Sequence, residues 1–384
     1  MLLTFALIIL GFIMLTYGAD LLVKGAGRIA LLVGISPLVV GLTVVAFGTS
    51  APEAAVSLQS ALIGKVGITV GNVVGSNIFN TFVVLGVAAL LSPLLVDAQV
   101  IRKEVPLLIG ASFLIFFLSL DGLISRLDGV ILFALIIAYT WWSIHVSRKE
   151  SAATSAEYKG SFDPDSKDGG GEPHIPEEVP KLKHRGPKAV VINLIFIVIG
   201  VGLLIFGSSF LVDGAVRIAE TFGVSDLVIG LTIVSVGTSL PELATSVMAG
   251  IRGERDIAVG NAVGSSLFNI LAVLGLAGIA APAGVPVADS TLSVDMPVMI
   301  FSALACMPVV LTGHKISRSE GIFFLVYYIT YIAYIVLDAM TSPALDYLIK
   351  GLLYGLAPVT VVVAVYAIVK GVWQHRRGGY SLKK

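Results

Sequence analysis

This sequence predicts an all-α polytopic membrane protein built from two inverted five-helix repeats, ten core transmembrane helices in all, plus one extra C-terminal helix. Three observations lead there. Hydrophobic residues make up 56% of the 384 and charged residues only 13%, so apolar stretches long enough to cross a bilayer must dominate. Residues 41–86, GLTVVAFGTSAPEAAVSLQSALIGKVGITVGNVVGSNIFNTFVVLG, recur without a gap 189 residues later, with 24 of 46 positions identical. Finally, an odd number of apolar runs precedes a polar linker, which makes the second copy enter the membrane from the opposite side.

Composition also excludes. A soluble protein with one large core would need far more charge to cover its surface. The net charge of zero gives nucleic-acid binding no electrostatic support, and the single cysteine, Cys306, rules out an internal disulfide or a cysteine metal cage.

Taken in order, apolar runs fall near 2–31, 37–63, 68–91, 104–120 and 128–147, then 189–212, 226–251, 256–281, 296–312, 319–339 and 348–370. The first run has no basic flank and no small-residue cleavage site, so it reads as a retained helix and not a signal peptide. The division expected is a first transmembrane repeat at 1–149, a linker at 150–188, a second repeat at 189–340, and an accessory helix with a basic tail at 341–384. The linker is rich in Gly, Pro, Ser and charge and cannot bury a core, so it is expected to be disordered or loosely structured. Its Asp163, Asp165 and Asp168 do not make a calcium loop, because the sixth and twelfth positions hold Asp168 and His174 instead of Gly and Glu.

Basic residues set the orientation. With the N-terminus outside, 21 of the 25 Lys and Arg fall on the cytoplasmic side, and only Lys65, Arg126, Arg217 and Lys350 fall outside. The expectation is an integral protein of the plasma or inner cell membrane, with linker and C-terminus cytoplasmic. The offset of 189 also pairs Gly18 with Gly207, Gly25 with Gly214 and Arg28 with Arg217, so duplication begins at the first helix. Inverted repeats place a substrate site near the midplane where the halves meet.

The shared polar residues carry the chemistry. Glu53 and Glu242 lie about 16 residues into their spans, near mid-bilayer at about 1.5 Å per residue. An ionised carboxylate there needs a cavity or a counter-charge, and no deep Lys or Arg is available, so a bound cation is the economical partner. The alternative is a protonated Glu bonded to a neighbouring helix. Pro52 and Pro241 should break their helices and free carbonyls around Ala46–Gly48 and Ser235–Gly237. Thr49, Ser50, Thr238 and Ser239 place hydroxyls beside those breaks. Downstream, Ser76 and Asn80 share one helix face, as do Ser265 and Asn269. Gly71, Gly75, Gly260 and Gly264 are expected to let the neighbouring helix approach. These donors are all oxygens, which suits Ca²⁺, Mg²⁺ or Na⁺ over Zn²⁺ or Cu. Two glutamates supply about −2, enough for one Ca²⁺ or two Na⁺, so the ions should compete for one pocket.

GTSAPE and GTSLPE, with GSNIFN and GSSLFN in inverted repeats, resemble the α-repeats of the sodium/calcium exchanger family within the calcium/cation antiporter superfamily, over residues 11–340. The resemblance implies a pocket between four central helices with Glu53 and Glu242 as principal ligands. Thr49, Ser50, Thr238, Ser239, Ser76, Ser265, Asn80, Asn269 and the carbonyls of Ala46 and Ser235 complete it. It further implies that the first and sixth spans slide across that core to give alternating access. Some family members carry Asp where this chain has Asn269, which argues against potassium co-transport and bears on stoichiometry.

The function expected is exchange of Ca²⁺ for Na⁺. A Ca²⁺/H⁺ exchanger using the same glutamates is the alternative, and a passive cation channel a remoter one. No enzyme and no cofactor are expected. The partners are membrane lipid and small inorganic cations, with a monomer as the working expectation. A serine hydrolase fails because His145, His174, His184, His314 and His375 all lie at span ends, in the linker, or in loops and tail. Asp20 reads as a local pair with Lys24, and Trp141 and Trp142 as interfacial anchors.

Overall fold

The computed structural model describes residues 2–33, 35–62, 66–97, 99–160, 187–221, 235–311, 315–362 and 365. In the first half, α1 (Leu2–Val33) is followed by α2 (Pro37–Thr49) and α3 (Ala51–Leu62), two segments of one span bent by 49°. Ser36 caps α2 by accepting the Val39 N–H at 3.2 Å, and Pro37 follows in the first turn, where its missing N–H is not needed. α4 (residues 66–91), α5 (residues 100–118) and α6 (Arg126–Gly160) complete this half.

The second half repeats the plan. It comprises α7 (Pro187–Thr221), the short turn α8 (Ser235–Gly237), α9 (Leu240–Ile251), α10 (Arg255–Ala280), α11 (residues 291–311) and α12 (Arg318–Ala339). Ser317 and Glu320 form a reciprocal capping box at the start of α12. α13 begins with Ala344–Gly351 and continues to residue 362.

Each of the eleven apolar runs therefore has a helical counterpart. By length and composition alone, seven helices among the described residues can cross a membrane, or eight with the bent pair. α5 carries Arg102, Lys103 and Glu104 in its first turn, and α9 and α11 are short. The linker differs from expectation at its start, because α6 continues through Ser151 to Gly160. Ala152, Ala153 and Ala156 are strong helix formers and sustain it. Residues 161–186, including Asp163, Asp165 and Asp168, lie outside the described residues, as do 222–234 and most of the basic tail.

Four two-residue strands were not foreseen. β1 (Leu94–Leu95) pairs antiparallel with β4 (Lys315–Ile316), and β2 (Leu123–Ile124) with β3 (Val285–Pro286). Each ladder ties a loop of one half to a loop of the other, and the two ladders are related by the same pseudo-symmetry as the helices. Runs this short leave no alternation to read in a sequence.

Burial shows what lies at the centre. α4 and α10 have 78% and 83% of their apolar windows buried, against 33% for α1 and 22% for α7. α2 crosses α10 closely, since a Cβ at Gly260 would meet the Leu38 carbonyl at 2.8 Å and one at Gly264 the Leu42 carbonyl at 2.7 Å. The expected close approach holds there. Among the described residues nothing comes within 4 Å of a Cβ at Gly71 or Gly75, whose equivalent neighbours at 227–231 lie outside them.

Among the described residues, α1 and α7 form the most extensive helix pair. They run antiparallel, with Gly11, Gly18 and Gly25 facing Gly207, Gly200 and Asn193. A seven-residue glycine spacing on both helices lets the backbones touch, which is how helices associate where lipid competes equally for apolar surface. A Cβ at Gly200 would lie 2.8 Å from the Gly18 carbonyl, whereas one at Gly202 meets nothing within 4 Å. Gly200→Ala is therefore expected to lower the thermal midpoint of the detergent-solubilised protein, at a cost of about 1–3 kcal/mol for overpacking. Gly202→Ala on the same helix should leave that midpoint unchanged.

Candidate cation site

The site is made where α2 gives way to α3 and where α8 gives way to α9. Pro52 has no N–H to offer the Gly48 carbonyl, and Pro241 none for Gly237. The helices turn at Ser50 (φ −82, ψ 9) and at Ser239 (φ −93, ψ 8), equivalent residues with nearly identical backbone. Glu53 and Glu242 then sit in the first turn of the resumed helices, both fully buried.

Hydrogen bonds cross between the halves in matched pairs. Ser50 Oγ donates to Glu242 Oε1 at 2.9 Å, and Ser239 Oγ donates to Glu53 Oε1 at 3.0 Å. Thr49 Oγ1 donates to Asn261 Oδ1 at 3.0 Å and lies 3.2 Å from Ser265 Oγ; Thr238 Oγ1 donates to Asn72 Oδ1 at 3.3 Å. Each half therefore orients the other's glutamate.

Asn72 and Asn261 have a role that their identity across the 189-residue repeat did not reveal. Asn72 Nδ2 donates to the Glu53 carbonyl at 3.3 Å and to Ser57 Oγ at 3.0 Å. Asn261 Nδ2 donates to the Glu242 carbonyl at 3.2 Å and to Ser246 Oγ at 2.9 Å. Their amides bind the glutamate's own half while their oxygens accept a threonine from the opposite half. Ser57 and Ser246 were missed by sequence reasoning, although their identity at the 189-residue offset was a usable signal.

A second set of polar atoms is buried without partners. Among the described residues, Glu53 Oε2, Glu242 Oε2, Ser76 Oγ and both amide atoms of Asn80 and of Asn269 have no hydrogen-bond partner. Buried orphans of this kind are rare, and each costs roughly 1–3 kcal/mol unless something compensates it. Asn80 and Asn269 each begin a π-helical turn, Asn80–Val84 and Asn269–Val273. Such bulges re-aim a side chain and recur at functional sites. These particular oxygens belong to residues that the sequence nominated as ligands; Asn77, Ser143, Asn193 and Thr245 also carry a buried, unpartnered oxygen and were not nominated.

The carbonyls are less uniform. Ala46 O accepts the Ser50 N–H at 3.0 Å and Thr49 Oγ1 at 3.4 Å, so it keeps its helical bond instead of being freed by Pro52. Gly48 and Gly237 are the carbonyls that lose an amide, and Gly237 O accepts Ser208 Oγ from α7. The residue equivalent to Ser208 in α1 is Ala19, which offers no hydroxyl. Ser235 begins the turn α8.

Other features resolve as structure. Glu104 is also fully buried, but Tyr139 OH donates to its Oε2 at 2.6 Å and Gln99 Nε2 to its Oε1 at 3.0 Å. Its counterpart in the second half is the half-buried Asp295, whose Oδ1 accepts Tyr331 OH at 3.0 Å. Glu53 and Glu242 differ from Glu104 in having one oxygen unengaged. Asp20 does pair with Lys24, at 2.7 Å, and also with Arg252 beyond the end of α9. Asp128 caps α6 by accepting the Ser125 N–H and Oγ at 2.8 and 2.6 Å. Trp141 is exposed and stacks on His145, while Lys103 lies over Trp142.

A helical membrane protein whose two halves meet at buried oxygen donors, with no thiolate or imidazole among them, fits the class of secondary ion transporters. The particular membership follows from comparison: the chain belongs to the sodium/calcium exchanger protein family, whose profile matches residues 3–145 and 192–337. It is a membrane transporter and not an enzyme. It is 38% identical over 292 residues to the putative antiporter CaxA of Alkalimonas amylolytica, covering 74% of this chain and 83% of that one. It is 32% identical over 307 residues to the sodium/calcium exchanger MaX1 of Methanosarcina acetivorans, covering 74% and 84%. Among solved structures, the sodium-calcium exchanger NCX_Mj superposes with a TM-score of 0.70 at 32% identity, covering 86% of this chain and 98% of that one.

Asn261→Ala removes the bonds to Thr49, the Glu242 carbonyl and Ser246 together. Residues that orient ligands without touching the ion are typically worth about 10–100-fold in metal affinity. Asn261→Ala and Asn72→Ala are each expected to raise the half-saturating calcium concentration of transport by that order, measured by calcium titration of uptake into proteoliposomes.

Proposed function

We propose that this chain exchanges Ca²⁺ for Na⁺ across the membrane by alternating access, moving Ca²⁺ out of the cytoplasm as Na⁺ enters. The observation that carries this reading is that the hydrogen bonds joining the two halves fall on Glu53 and Glu242, each of which keeps one buried oxygen unengaged, with buried unpartnered amide oxygens at Asn80 and Asn269 and no thiolate or imidazole among them. Hard oxygen donors suit Ca²⁺ and Na⁺. The ligand set is Glu53 and Glu242, with Thr49, Ser50, Ser76 and Asn80 from one half and Thr238, Ser239, Ser265 and Asn269 from the other. Carbonyl oxygens of Ala46 and Ser235 complete it; with the one Thr49 hydroxyl proton given to Asn261 at the shorter distance, the Ala46 oxygen keeps a lone pair beside its helical bond to Ser50.

One pocket of fixed charge holds either cargo, and competition between them couples the fluxes. The glycine-sealed pair α1–α7 is the element that moves. Its backbones lock together while its remaining faces stay largely unburied, so it can shift as one body over α2–α4 and α8–α10. The orientation proposed is N-terminus outside, with linker and C-terminus cytoplasmic. The distribution of basic residues supports it.

Protons are the second counter-ion to test, because a proton on each glutamate neutralises the same charge. Isotopic calcium uptake into proteoliposomes, with sodium, potassium and proton gradients imposed separately, distinguishes the readings. Sodium is expected to drive uptake and potassium to leave it unaffected. Calcium flux that ignores every counter-ion gradient would identify a channel. Glu53→Gln or Glu242→Gln should lower uptake by roughly a hundredfold or more, since removing one charge from a buried ionic cluster costs about 3–5 kcal/mol.

A further inference from the structure

The accessory helix stands away from the core. α13 meets α12 at a bond between Tyr327 OH and Thr360 Oγ1, and a cavity of about 600 Å³ lies between α11, α12 and α13. Leu353 and Val361 line it and are themselves exposed, so it opens sideways onto the lipid-facing surface. Its walls are largely apolar, and most of the hydroxyls in them are spent. Ser293 Oγ donates to the Asp289 carbonyl at 2.6 Å, Thr330 Oγ1 to that of Val326 at 2.7 Å, and Tyr331 OH to Asp295 Oδ1 at 3.0 Å. Water would find few of the polar partners it needs there. Left empty, the walls would forfeit their dispersion contacts. A lipid tail is as apolar as the side chains and fills such a space without hydrophobic cost.

The headgroup is selected by charge at the mouth. One turn beyond the cavity, the helix faces that line it each carry an aspartate: Ser293 leads to Asp289, Tyr334 to Asp338 and Ile349 to Asp346, at spacings of three or four residues. All three are exposed, and Asp295 adds a fourth carboxylate beside Tyr331. Lys350, over the Tyr347 ring at 5.9 Å, is the single basic residue in 286–297 and 334–353. Such a rim repels an anionic headgroup and attracts an amine. At the inner wall stands Phe82, 1% exposed, whose ring packs on Phe301, Phe324 and Tyr327 with centroids 6.1, 5.8 and 5.6 Å apart. Phe82 belongs to the π-helical turn that Asn80 begins. What fills the cavity therefore bears on the turn that aims Asn80.

We propose that this cavity holds one acyl chain of an amine-headed phospholipid of the phosphatidylethanolamine type, with the amine among Asp289, Asp338 and Asp346, and that the tail steadies the π-helical turn of Asn80. The binding stands on the cavity and its charged rim alone. Its effect on transport rests on the reading given under Proposed function.

The test is native mass spectrometry of the full chain in detergent with equal phosphatidylethanolamine and phosphatidylglycerol of the same acyl chains. The unaltered chain should retain one phosphatidylethanolamine and prefer it by about tenfold, the order expected of a few surface charges acting on a headgroup. Ala357→Trp puts an indole into the cavity and is expected to lose that lipid, while Val362→Trp, on the opposite, exposed side of α13, keeps it. Asp338→Asn combined with Asp346→Asn should bring the two lipids towards parity. In vesicles of phosphatidylglycerol alone, the unaltered chain and Val362→Trp should need severalfold more calcium for half-saturation of uptake than Ala357→Trp, whose indole takes the tail's place. In vesicles containing phosphatidylethanolamine the three should agree. An unaltered chain that retains no phospholipid, that keeps phosphatidylglycerol as readily, or that pairs with a second copy through α13 and holds no lipid overturns the site, and needs no variant to show it. Equal half-saturation of all three in phosphatidylglycerol overturns the support given to the turn of Asn80. Calcium uptake indifferent to every counter-ion gradient overturns the antiport reading, while the lipid count is decided by mass alone.

Discussion

Two reciprocal hydrogen bonds hold the account together: Ser50 to Glu242, and Ser239 to Glu53. Each takes one oxygen of a carboxylate that is fully removed from solvent and leaves the other without a hydrogen-bond partner. Because donor and acceptor belong to opposite halves, each glutamate's carboxylate is held from the other repeat while its backbone is held from its own. A carboxylate in hydrocarbon without such help would be strongly destabilising. The helix breaks, the paired asparagines behind the glutamates and the π-helical turns all serve the same constraint. They bring oxygens together at depth, where an unbroken α-helix would spend its backbone groups on itself.

Around this centre the scaffold uses small residues where large ones would keep backbones apart. Gly260 and Gly264 admit α2 against α10, and the glycine seam admits α1 against α7. In a bilayer, packing of this kind does much of the work that hydrophobic burial does in water. The symmetry is not complete. Ser208 on α7 holds the Gly237 carbonyl, while the first half has Ala19 at the equivalent place. Asp20 on α1 joins Lys24 and Arg252, while the second half has Ser209 there, bonded to its own helix at Ile205. The two faces of the molecule are therefore fastened differently, although the site between them is nearly two-fold.

Much of the helical plan was legible because hydropathy and the 189-residue offset are long-range signals that survive local noise. Glu53 and Glu242 stood out because an apolar chain retained them twice, and the bend at Ser50 followed from Pro52. What escaped depended on contacts between halves that no local pattern encodes. Asn72 and Asn261 lay within the repeated stretch, but only the fold shows that they fasten a glutamate's backbone to the opposite threonine. The strands β1–β4 are two residues long and left no periodicity. Ala46 shows the limit of reasoning from proline alone: the amide lost at Pro52 belongs to the Gly48 carbonyl, and Ala46 keeps its bond to Ser50.

The central claim is that two halves build one cation site. Equilibrium binding of isotopic calcium to the purified protein, titrated with sodium, tests it most directly. One calcium should bind per chain, sodium should displace it with a dependence steeper than one-for-one, and either Glu53→Gln or Glu242→Gln should abolish the whole of it. Two calcium ions per chain, with each substitution removing one and leaving the other intact, would contradict a shared site.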